Sequence, residues 1–276
     1  MSNDTRGRPD ILSHVSIVLV GTSHPGNIGA AARAMKNMGL QHLVLVSPDS
    51  FPHPDADSRA SGAGDVLSGA RVVSSLAEAL ADRTVVFGAS ARQRTLPWPV
   101  VEPAVAAKGA MAAAAQGGRV AFVFGREDSG LSNDELQRCH YHVQIPTVDG
   151  FSSLNLAMAV QVISYELRLE LLGLLEKARG KARPSTRSAD LMLSPRDEGW
   201  DVELASMEEV DQFLIHLEQV LVEIEFHDPD RPRQLLQRLR RLFLRAHPDR
   251  MEINILRGVL RNVQRKAAIS DGNKPH

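Results

Sequence analysis

The chain has 276 residues, of which 43% are hydrophobic and 24% charged, and its formal net charge is −1. This length and composition allow a substantial buried core and predict one large domain with a smaller one. No secretory signal or uninterrupted membrane-spanning run is visible, and the single cysteine, Cys139, excludes an internal disulfide, so we expect a cytoplasmic protein with no membrane contact.

Short β-branched runs alternate with helical patterns as far as about residue 177. The predicted strands are Val15–Val20, Leu43–Val46, Arg71–Val73, Thr84–Phe87, Val120–Phe124 and His142–Ile145. Helical patterns at Ile28–Met38, Leu76–Ala81 and Asn133–Arg138 lie between most of these strands. The alternation predicts an α/β domain with a largely parallel sheet, whose ligands bind in the loops beyond the carboxyl ends of the strands.

The first of these loops, GTSHPGNIG, joins a strand to a helix. Its glycines would let backbone N–H groups approach an anion, but the spacing is not that of G-x-G-x-x-G, and Asn27 stands where a P-loop needs lysine. A turn in which Asn27 caps the helix is the alternative. Arg33 follows among small alanines that would let another surface come close, although most arginines on helix surfaces are simply solvated.

The loop after the fourth strand contains Arg92 and Arg94 beside Trp98, which lies between two prolines. Arginine next to an aromatic plane suits a nucleotide, whereas a tryptophan between prolines is more often a packing anchor. We therefore keep both interpretations open for this loop.

Cys139, His140 and His142 are residue types that bind metals. The sequence offers no second ligand pair at metal spacing, so it predicts no metal site, and we expect Cys139 to be an unreactive residue at a helix end. The scattered histidines and the lack of a nucleophile-elbow pattern also disfavour a Ser-His-acid hydrolase.

A helix is predicted to close the first domain. Leu154, Met158, Val162, Tyr165 and Leu169 fall on one helical face, and Ser152 or Ser153 is available as the N-cap.

The composition changes beyond this helix. We predict a domain over residues 1–177, a flexible linker rich in Pro, Ser and mixed charge over 178–200, and a small all-α domain over 201–276. Apolar periodicity predicts three helices in the last segment, around residues 210–224, 235–243 and 255–263, which Pro229 and Pro248 separate.

The charge along the all-α segment is strongly asymmetric. Residues 201–230 contain ten acids and no Lys or Arg, whereas residues 231–266 contain eleven basic residues against two acids. Two helical stripes carry the basic charge: Arg238, Arg241 and Arg245, and Arg257, Arg261 and Arg265. Such stripes are often solvated, and the acidic helix could neutralise part of them, but they suit a folded polyanion such as RNA.

Three motifs in chain order resemble the SpoU branch of the SPOUT RNA 2′-O-ribose methyltransferases. They are Asn27-x-Gly29-x-x-x-Arg33, Gly125-Arg126-Glu127-x-x-Gly130-Leu131, and Ile145-Pro146 followed by Gly150 and Ser153-Leu154-Asn155. Each motif alone is weak, whereas the ordered set is specific. The resemblance covers nearly the whole chain except the linker and is closest to members that methylate tRNA.

The resemblance implies a parallel sheet with a deep C-terminal trefoil knot, and a homodimer that builds each active site from two subunits. It implies S-adenosylmethionine (AdoMet) as the methyl donor and no metal. By motif matching, AdoMet would lie on eight residues: Ala89, Ser90, Ala91, Gly125, Ile145, Ser152, Ser153 and Leu154. Gly125 would let the backbone meet the cofactor.

The same resemblance implies a catalytic set of Asn27, Arg33, Glu127, Ser153 and Asn155. Because the pKa of an arginine is at least about 12.5, we expect Arg33 to stabilise charge on the 2′-oxygen and not to act as the base. Arg92, Arg94 and Arg126, together with the two arginine stripes of the tail, would contact RNA. The substrate would be the cytidine or uridine that begins the anticodon loop of tRNA.

Other functions remain open at this point. The same chemistry could serve a ribosomal RNA loop, or the chain could be a non-catalytic RNA-binding protein that retains the fold. A nicotinamide-dependent oxidoreductase with an unknotted sheet would need a glycine spacing that this sequence lacks.

Overall fold

The structure is a computed structural model, and it describes residues 11–91, 98–148, 151–178, 203–231 and 234–271. Contacts divide the chain into two compact units. The first falls within Met1–Ala79 and Val85–Arg196, and the second within Leu80–Thr84 and Asp197–His276. Ala178, the first residue of the linker that composition predicts at 178–200, is the last residue of a helix. The rest of that linker lies outside the described residues, so its flexibility stays a prediction.

A parallel sheet forms the centre of the first unit. Its strands are β1 (Val15–Val20), β2 (His42–Val46), β3 (Arg71–Val73), β4 (Val85–Ala89), β5 (Val100–Val101), β6 (Val120–Phe124) and β7 (Tyr141–Val143). Their order across the sheet is β3-β2-β1-β6-β4-β7-β5, and all paired neighbours run parallel. The central strands β1 and β6 are buried along their whole length, as continuous apolar runs in parallel sheets usually are. The predicted α/β parallel sheet is confirmed, and the knot stays a prediction.

Helices connect and cover the strands. They are α1 (Pro25–Met38), α2 (Pro54–Ala60), α3 (Gly64–Ser68), α4 (Leu76–Leu80), α5 (Pro103–Ala115), α6 (Asn133–Leu136) and α7 (Leu156–Ala178), with 3-10 turns at Ile11–His14 and Ser61–Ala63. Proline opens α1, α2 and α5, where its missing N–H costs no helical hydrogen bond. Helix α1 is terminated by its C-cap residue Gly39, which adopts the left-handed conformation with φ of 88°.

The sequence patterns missed several of these elements. The segment after β2 is not only a loop, because His53 Nδ1 accepts a hydrogen bond from the Asp55 N–H at 3.1 Å and caps α2. Helix α5 is alanine-rich and buried around much of its circumference, so it shows little periodicity. The two-residue strand β5 is too short to leave a pattern, and β7 begins at Tyr141, one residue before the predicted start.

The apolar periodicity of α7 predicted a buried face, but the residues of that face are largely exposed in the structure. Met158 and Tyr165 are 63% and 48% exposed, whereas Leu156, Val160 and Ile163 are buried. The predicted N-cap is also wrong, because the helix begins at Leu156 and Asn155 Oδ1 accepts from the Ala157 N–H at 3.0 Å. Periodicity located the helix correctly but could not reveal which of its apolar faces the same chain covers.

The second unit contains α8 (Met207–Glu223), α9 (Leu235–Ala246) and α10 (Arg250–Asp271). The three predicted C-terminal helices and the breaks between them are therefore confirmed. Helix α8 begins with a capping box in which Ser206 and Glu209 bond reciprocally to each other's backbone N–H. None of the helices in the described part of the chain is both long enough and apolar enough to cross a bilayer.

Candidate functional site

The loops that carry the three sequence motifs follow neighbouring strands. Strands β1, β6, β4 and β7 are adjacent in the sheet and parallel, so their carboxyl ends meet at one edge. The Ser90 N–H donates to the Val143 carbonyl at 3.0 Å and joins the segments that follow β4 and β7. The first motif, at residues 27–33, and the third, at 145–155, are thus brought to the same edge although they are more than a hundred residues apart in the chain.

Glu127 is the centre of the junction between the motifs. Its Oε2 accepts from both the N–H and the Oγ of Ser23 at 3.1 Å. Its Oε1 accepts from the His24 N–H at 3.3 Å and from Asn27 Nδ2 at 2.9 Å. One carboxylate from the second motif therefore fixes the loop and helix start that hold the first motif.

This arrangement completes the amino-terminal end of α1. The N-cap residue of α1 is His24, whose side chain makes no capping hydrogen bond. Glu127 supplies the missing acceptor and places a negative charge at the positive end of the helix dipole. Partial burial raises the pKa of Glu127, but the hydrogen bonds from Asn27, Ser23 and His24 outweigh it, so the pKa lies below its ordinary value. Glu127 is therefore an ionised positioning residue.

Asn27 connects this junction to the third motif. Its Nδ2 donates to Glu127, and its Oδ1 accepts from Asn155 Nδ2 at 3.2 Å. Asn155 also caps α7 through its Oδ1. The structure therefore brings together three of the predicted catalytic residues, Asn27, Glu127 and Asn155, in one hydrogen-bonded chain that spans all three motifs.

A cavity of about 140 Å³ lies beside this chain of hydrogen bonds. Segments after β4, β6 and β7 line it, and all eight residues that motif matching assigned to AdoMet are among them: Ala89, Ser90, Ala91, Gly125, Ile145, Ser152, Ser153 and Leu154. Glu127 lines the cavity as well. Ser153, the fourth predicted catalytic residue, is thus at the cavity.

Gly125 lines the cavity, and the structure also shows a local reason for a glycine at this position. A Cβ at this position would overlap the backbone of Gly130 and Leu131. The loop closes tightly because Arg126 and Gly130 exchange two backbone hydrogen bonds, of 3.2 and 2.9 Å. Gly125 therefore allows the second motif to fold back on itself, and this fold brings Glu127 to its partners.

Arg126 is held from the other side of the same loop. Its Nη1 donates to both carboxylate oxygens of Glu135 at 3.1 Å. Its guanidinium lies close to Gly21, where a Cβ would come within 2.8 Å of Nε. Sequence reasoning missed Glu135 and Ser23, although Ser132-x-x-Glu135 is a visible capping-box signal.

Arg33 is the predicted catalytic residue that the single chain does not bring to the cavity. It lies six residues after Asn27 on α1, about 9 Å further along the helix axis. Its side chain is exposed and has no hydrogen bond or ion pair with any residue in the described ranges.

The residues with metal-binding chemistry have structural partners. His140 Nδ1 accepts from the Val86 N–H at 3.0 Å, and His142 Nε2 lies 3.2 Å from the Leu136 carbonyl. Trp98 is buried, stacks on His142 and donates to the Cys139 carbonyl at 2.8 Å, so the packing interpretation of Trp98 is confirmed.

Burial also raises the pKa of the Cys139 thiol, which makes the thiolate unfavourable. Over the described residues no group of three or more His, Cys, Asp or Glu side chains could hold a metal ion. Arg92 and Arg94 lie outside the described residues.

The basic stripes of the second unit are left unneutralised by its acidic helix. Asp211 pairs with Arg240 at 2.6 Å, and Glu203 and Glu209 pair with Arg250 at 2.8 and 3.0 Å. The six arginines predicted to contact RNA form no ion pair with any other residue that the structure describes: Arg238, Arg241, Arg245, Arg257, Arg261 and Arg265.

Comparison with known protein families gives two matches. Residues 14–165 match the model of the SpoU rRNA methylase family. Residues 208–272 match the model of the C-terminal domain of the tRNA methyltransferase TrmJ.

The chain is also similar to characterised proteins over most of its length. It is 49% identical to the tRNA (cytidine/uridine/adenosine-2′-O-)-methyltransferase TrmJ of Pseudomonas aeruginosa, covering 93% of this chain and 96% of the relative. It is 45% identical to the tRNA (cytidine/uridine-2′-O-)-methyltransferase TrmJ of Klebsiella pneumoniae, covering 93% and 98%. Among solved structures, TrmJ from Z. mobilis superposes with a TM-score of 0.73 and 34% identity, covering 90% of this chain and 98% of that one.

Proposed function

The chain belongs to the SpoU rRNA methylase family and, within it, to the TrmJ tRNA 2′-O-methyltransferases, and from this membership we propose that it methylates the ribose of the pyrimidine that begins the anticodon loop of tRNA. The observation that carries the proposal is the cavity lined by all eight expected AdoMet residues, beside the hydrogen-bonded chain Glu127–Asn27–Asn155. No metal is needed, because a bound AdoMet supplies an activated methyl group and the protein supplies alignment.

The residues around the cavity suit an adenosine-containing cofactor. Ser90, Ser152 and Ser153 provide polar groups, while Phe124, Leu154 and Ile145 provide apolar surface. Pockets for ligands of this size usually measure about 300–1,000 Å³, and the cavity measures about 140 Å³. We therefore expect the surrounding loops to separate when AdoMet binds.

Arg33 completes this site from a second subunit in our proposal. The single chain holds Arg33 about 9 Å along α1 from Asn27, on an exposed face. The exposed apolar side chains of α7, which include Met158, Tyr165 and Leu169, are the kind of surface that a homodimer would cover. In the dimer, the Arg33 guanidinium stabilises negative charge on the 2′-oxygen, and a nearby phosphate of the RNA accepts the proton.

The second unit would hold the tRNA. Six arginines without carboxylate partners on α9 and α10 provide positive charge for phosphate contacts. Arg240 and Arg250 instead join α9 and α10 to α8 through ion pairs with Asp211 and Glu209.

Deletion of the residues after 196 is expected to weaken tRNA binding by at least about tenfold. The deletion removes phosphate contacts, and each contact that is lost reduces the number of counterions whose release drives binding. AdoMet affinity should change less than about twofold, since every lining residue of its cavity precedes residue 160. Filter binding of tRNA and calorimetry with AdoMet measure the two affinities. Equal losses in both would show that the tail is structural and would contradict its RNA role.

The proposed function itself is tested by nucleoside mass spectrometry. Unmodified tRNA is incubated with the full chain and AdoMet, and its nucleosides and fragments are analysed for 2′-O-methylcytidine, 2′-O-methyluridine and 2′-O-methyladenosine. The adenosine product is included because the name of the P. aeruginosa relative includes it. Methylation at the start of the anticodon loop supports the proposal, whereas methylation of ribosomal RNA fragments alone would overturn it.

A further inference from the structure

A second and larger cavity lies at the same edge of the sheet. It measures about 480 Å³ and is formed by the segments that follow β1, β2 and β3, with the loop after β6 as its remaining wall. Its polar lining includes Ser23, Ser47, Asp49, Ser74 and Ser75 from these segments. None of the residues assigned to AdoMet lines it, so this cavity is separate from the cofactor cavity.

The two cavities share a wall. Arg126 and Asp128 line both of them, because the loop after β6 lies between the β3-β2-β1 side and the β4-β7 side of the sheet. Ser23 lines the larger cavity and hydrogen-bonds Glu127, which lines the cofactor cavity. A nucleotide whose ribose lies at the junction would therefore have its base within reach of the larger cavity.

The larger cavity favours a neutral polar group over a phosphate. Three carboxylates line it, from Asp49, Asp128 and Glu135, against the single guanidinium of Arg126, which Glu135 already holds. A phosphate would be repelled by this charge balance, whereas a nucleobase presents N–H donors that carboxylates accept.

Asp49 is the lining carboxylate that is available for such a donor. The Asp128 side chain accepts from Ser129 Oγ at 2.8 Å, and Glu135 is occupied by Arg126 and by its own helix cap. The Asp49 carboxylate has no hydrogen bond or ion pair to another residue within the described ranges. Its backbone N–H donates to the Thr22 carbonyl at 3.1 Å, which anchors Asp49 to the loop that also carries Ser23.

We propose that this cavity binds the base of the nucleotide to be methylated, and that the Asp49 carboxylate accepts a hydrogen bond from the Watson–Crick edge of that base. Cytidine offers its N4 amino group, uridine its N3–H and adenosine its N6 amino group, so one acceptor serves all three. The Arg126 guanidinium, held by Glu135, provides a plane beside the base. The inference rests on the proposed function, because it takes the substrate to be a nucleotide in RNA.

Replacing Asp49 with alanine in the full chain is expected to lower kcat/KM for tRNA by about tenfold to a hundredfold, the usual effect of losing a hydrogen bond to a charged group. The AdoMet dissociation constant should stay within about twofold, because Asp49 does not line the cofactor cavity. Asp57→Asn is the matched control, since Asp57 is an exposed acid on α2 outside both cavities. Steady-state methylation of unmodified tRNA measures the effect.

A substrate change tests the contact itself. In tRNA with N3-methyluridine at the target position, the N3–H is absent, and the wild-type enzyme should lose activity by a factor similar to that of Asp49→Ala. The two losses should not multiply when variant and modified tRNA are combined, because both remove the same hydrogen bond. Multiplicative losses, or a full rate for Asp49→Ala, would overturn the assignment of Asp49.

The wild-type reaction separates this inference from the proposed function. If the wild-type chain methylates tRNA at the anticodon loop and Asp49→Ala behaves like Asp57→Asn, the proposed function is supported and the proposed base site is refuted. If the wild-type chain methylates no RNA, both the proposed function and the proposed base site are refuted.

Discussion

Replacing Arg33 with alanine is expected to lower the rate of methyl transfer by about a hundredfold to a thousandfold, the usual effect of removing one group that stabilises a developing oxyanion. AdoMet affinity should not change, since Arg33 does not line the cofactor cavity. The folded structure should also persist, because the exposed Arg33 side chain makes no hydrogen bond or ion pair with the described residues that the substitution would break. Single-turnover methylation of tRNA with saturating AdoMet measures the chemical step directly.

Lys36→Ala is the matched control for Arg33. Lys36 lies on the same helix, and its ion pair with Asp65, 2.6 Å long, is between exposed groups, so its loss should change the rate little. A near-normal rate for Arg33→Ala would remove this residue from the mechanism.

A subunit-mixing experiment tests whether Arg33 acts across a dimer interface. If the protein is a homodimer, Arg33→Ala and Glu127→Ala chains should each lose activity when every chain carries the same substitution. In a mixed dimer, one site combines the intact Glu127 of the first chain with the intact Arg33 of the second. If Arg33 acts across the interface, co-expression of the two in equal amounts should restore about a quarter of the wild-type activity. No restoration would place Arg33 in the site of its own chain.

The parallel sheet, and the edge of it at which the candidate site lies, could be predicted because they depend on local patterns. The apolar runs Val15–Val20 and Val120–Phe124 are buried along their full length, and the sequence displays this directly. The loops beyond the strands were then expected to carry the ligands, since parallel strands place their carboxyl ends together. The identities of the cofactor-cavity residues came from motif resemblance and not from this geometry.

The partners of Glu127 could not be predicted from local patterns. Two of its donors are backbone N–H groups, of Ser23 and His24, which any residue type would offer. The sequence likewise did not reveal that a Cβ at Gly125 would overlap the backbone of Gly130 and Leu131. Such contacts depend on how the loops after β1 and β6 meet, and that meeting is a tertiary property.

The exposed face of α7 shows a second limit of periodicity. Met158 and Tyr165 form a regular apolar pattern, and a helical pattern of this kind usually indicates a face buried by the same chain. A face that a second copy covers produces the same pattern, because both situations remove apolar surface from water. The structure of the single chain is needed to show whether the same chain buries such a face, and here it leaves Met158 and Tyr165 exposed.

Replacing Glu127 with alanine is expected to destabilise the junction of the three motifs and to abolish most of the activity. The substitution leaves the N–H groups of Ser23 and His24 and the amide of Asn27 without their acceptor. We expect a loss of about 1–3 kcal/mol in the free energy of unfolding, because these donors lose their partner at a helix end that has no other cap. Urea unfolding and single-turnover methylation measure the two effects, and Asp134→Asn on α6 serves as the surface-acid control.

Glu127→Gln separates the charge of this side chain from its position. The amide retains one acceptor oxygen but replaces the other with a donor that faces N–H groups, so its activity should fall between those of wild type and Glu127→Ala. Because folding lowers the pKa of Glu127, the stability that its charge provides is fully present above the ordinary value of 4.5 and is lost as the pH falls through the lower folded value. The stability difference between wild type and Glu127→Gln should therefore be constant near neutrality and shrink in acid. A difference that instead changed between pH 6 and 8 would mean that Glu127 titrates there, as a general base would, and would contradict its role as a fixed carboxylate that positions Asn27 and the start of α1.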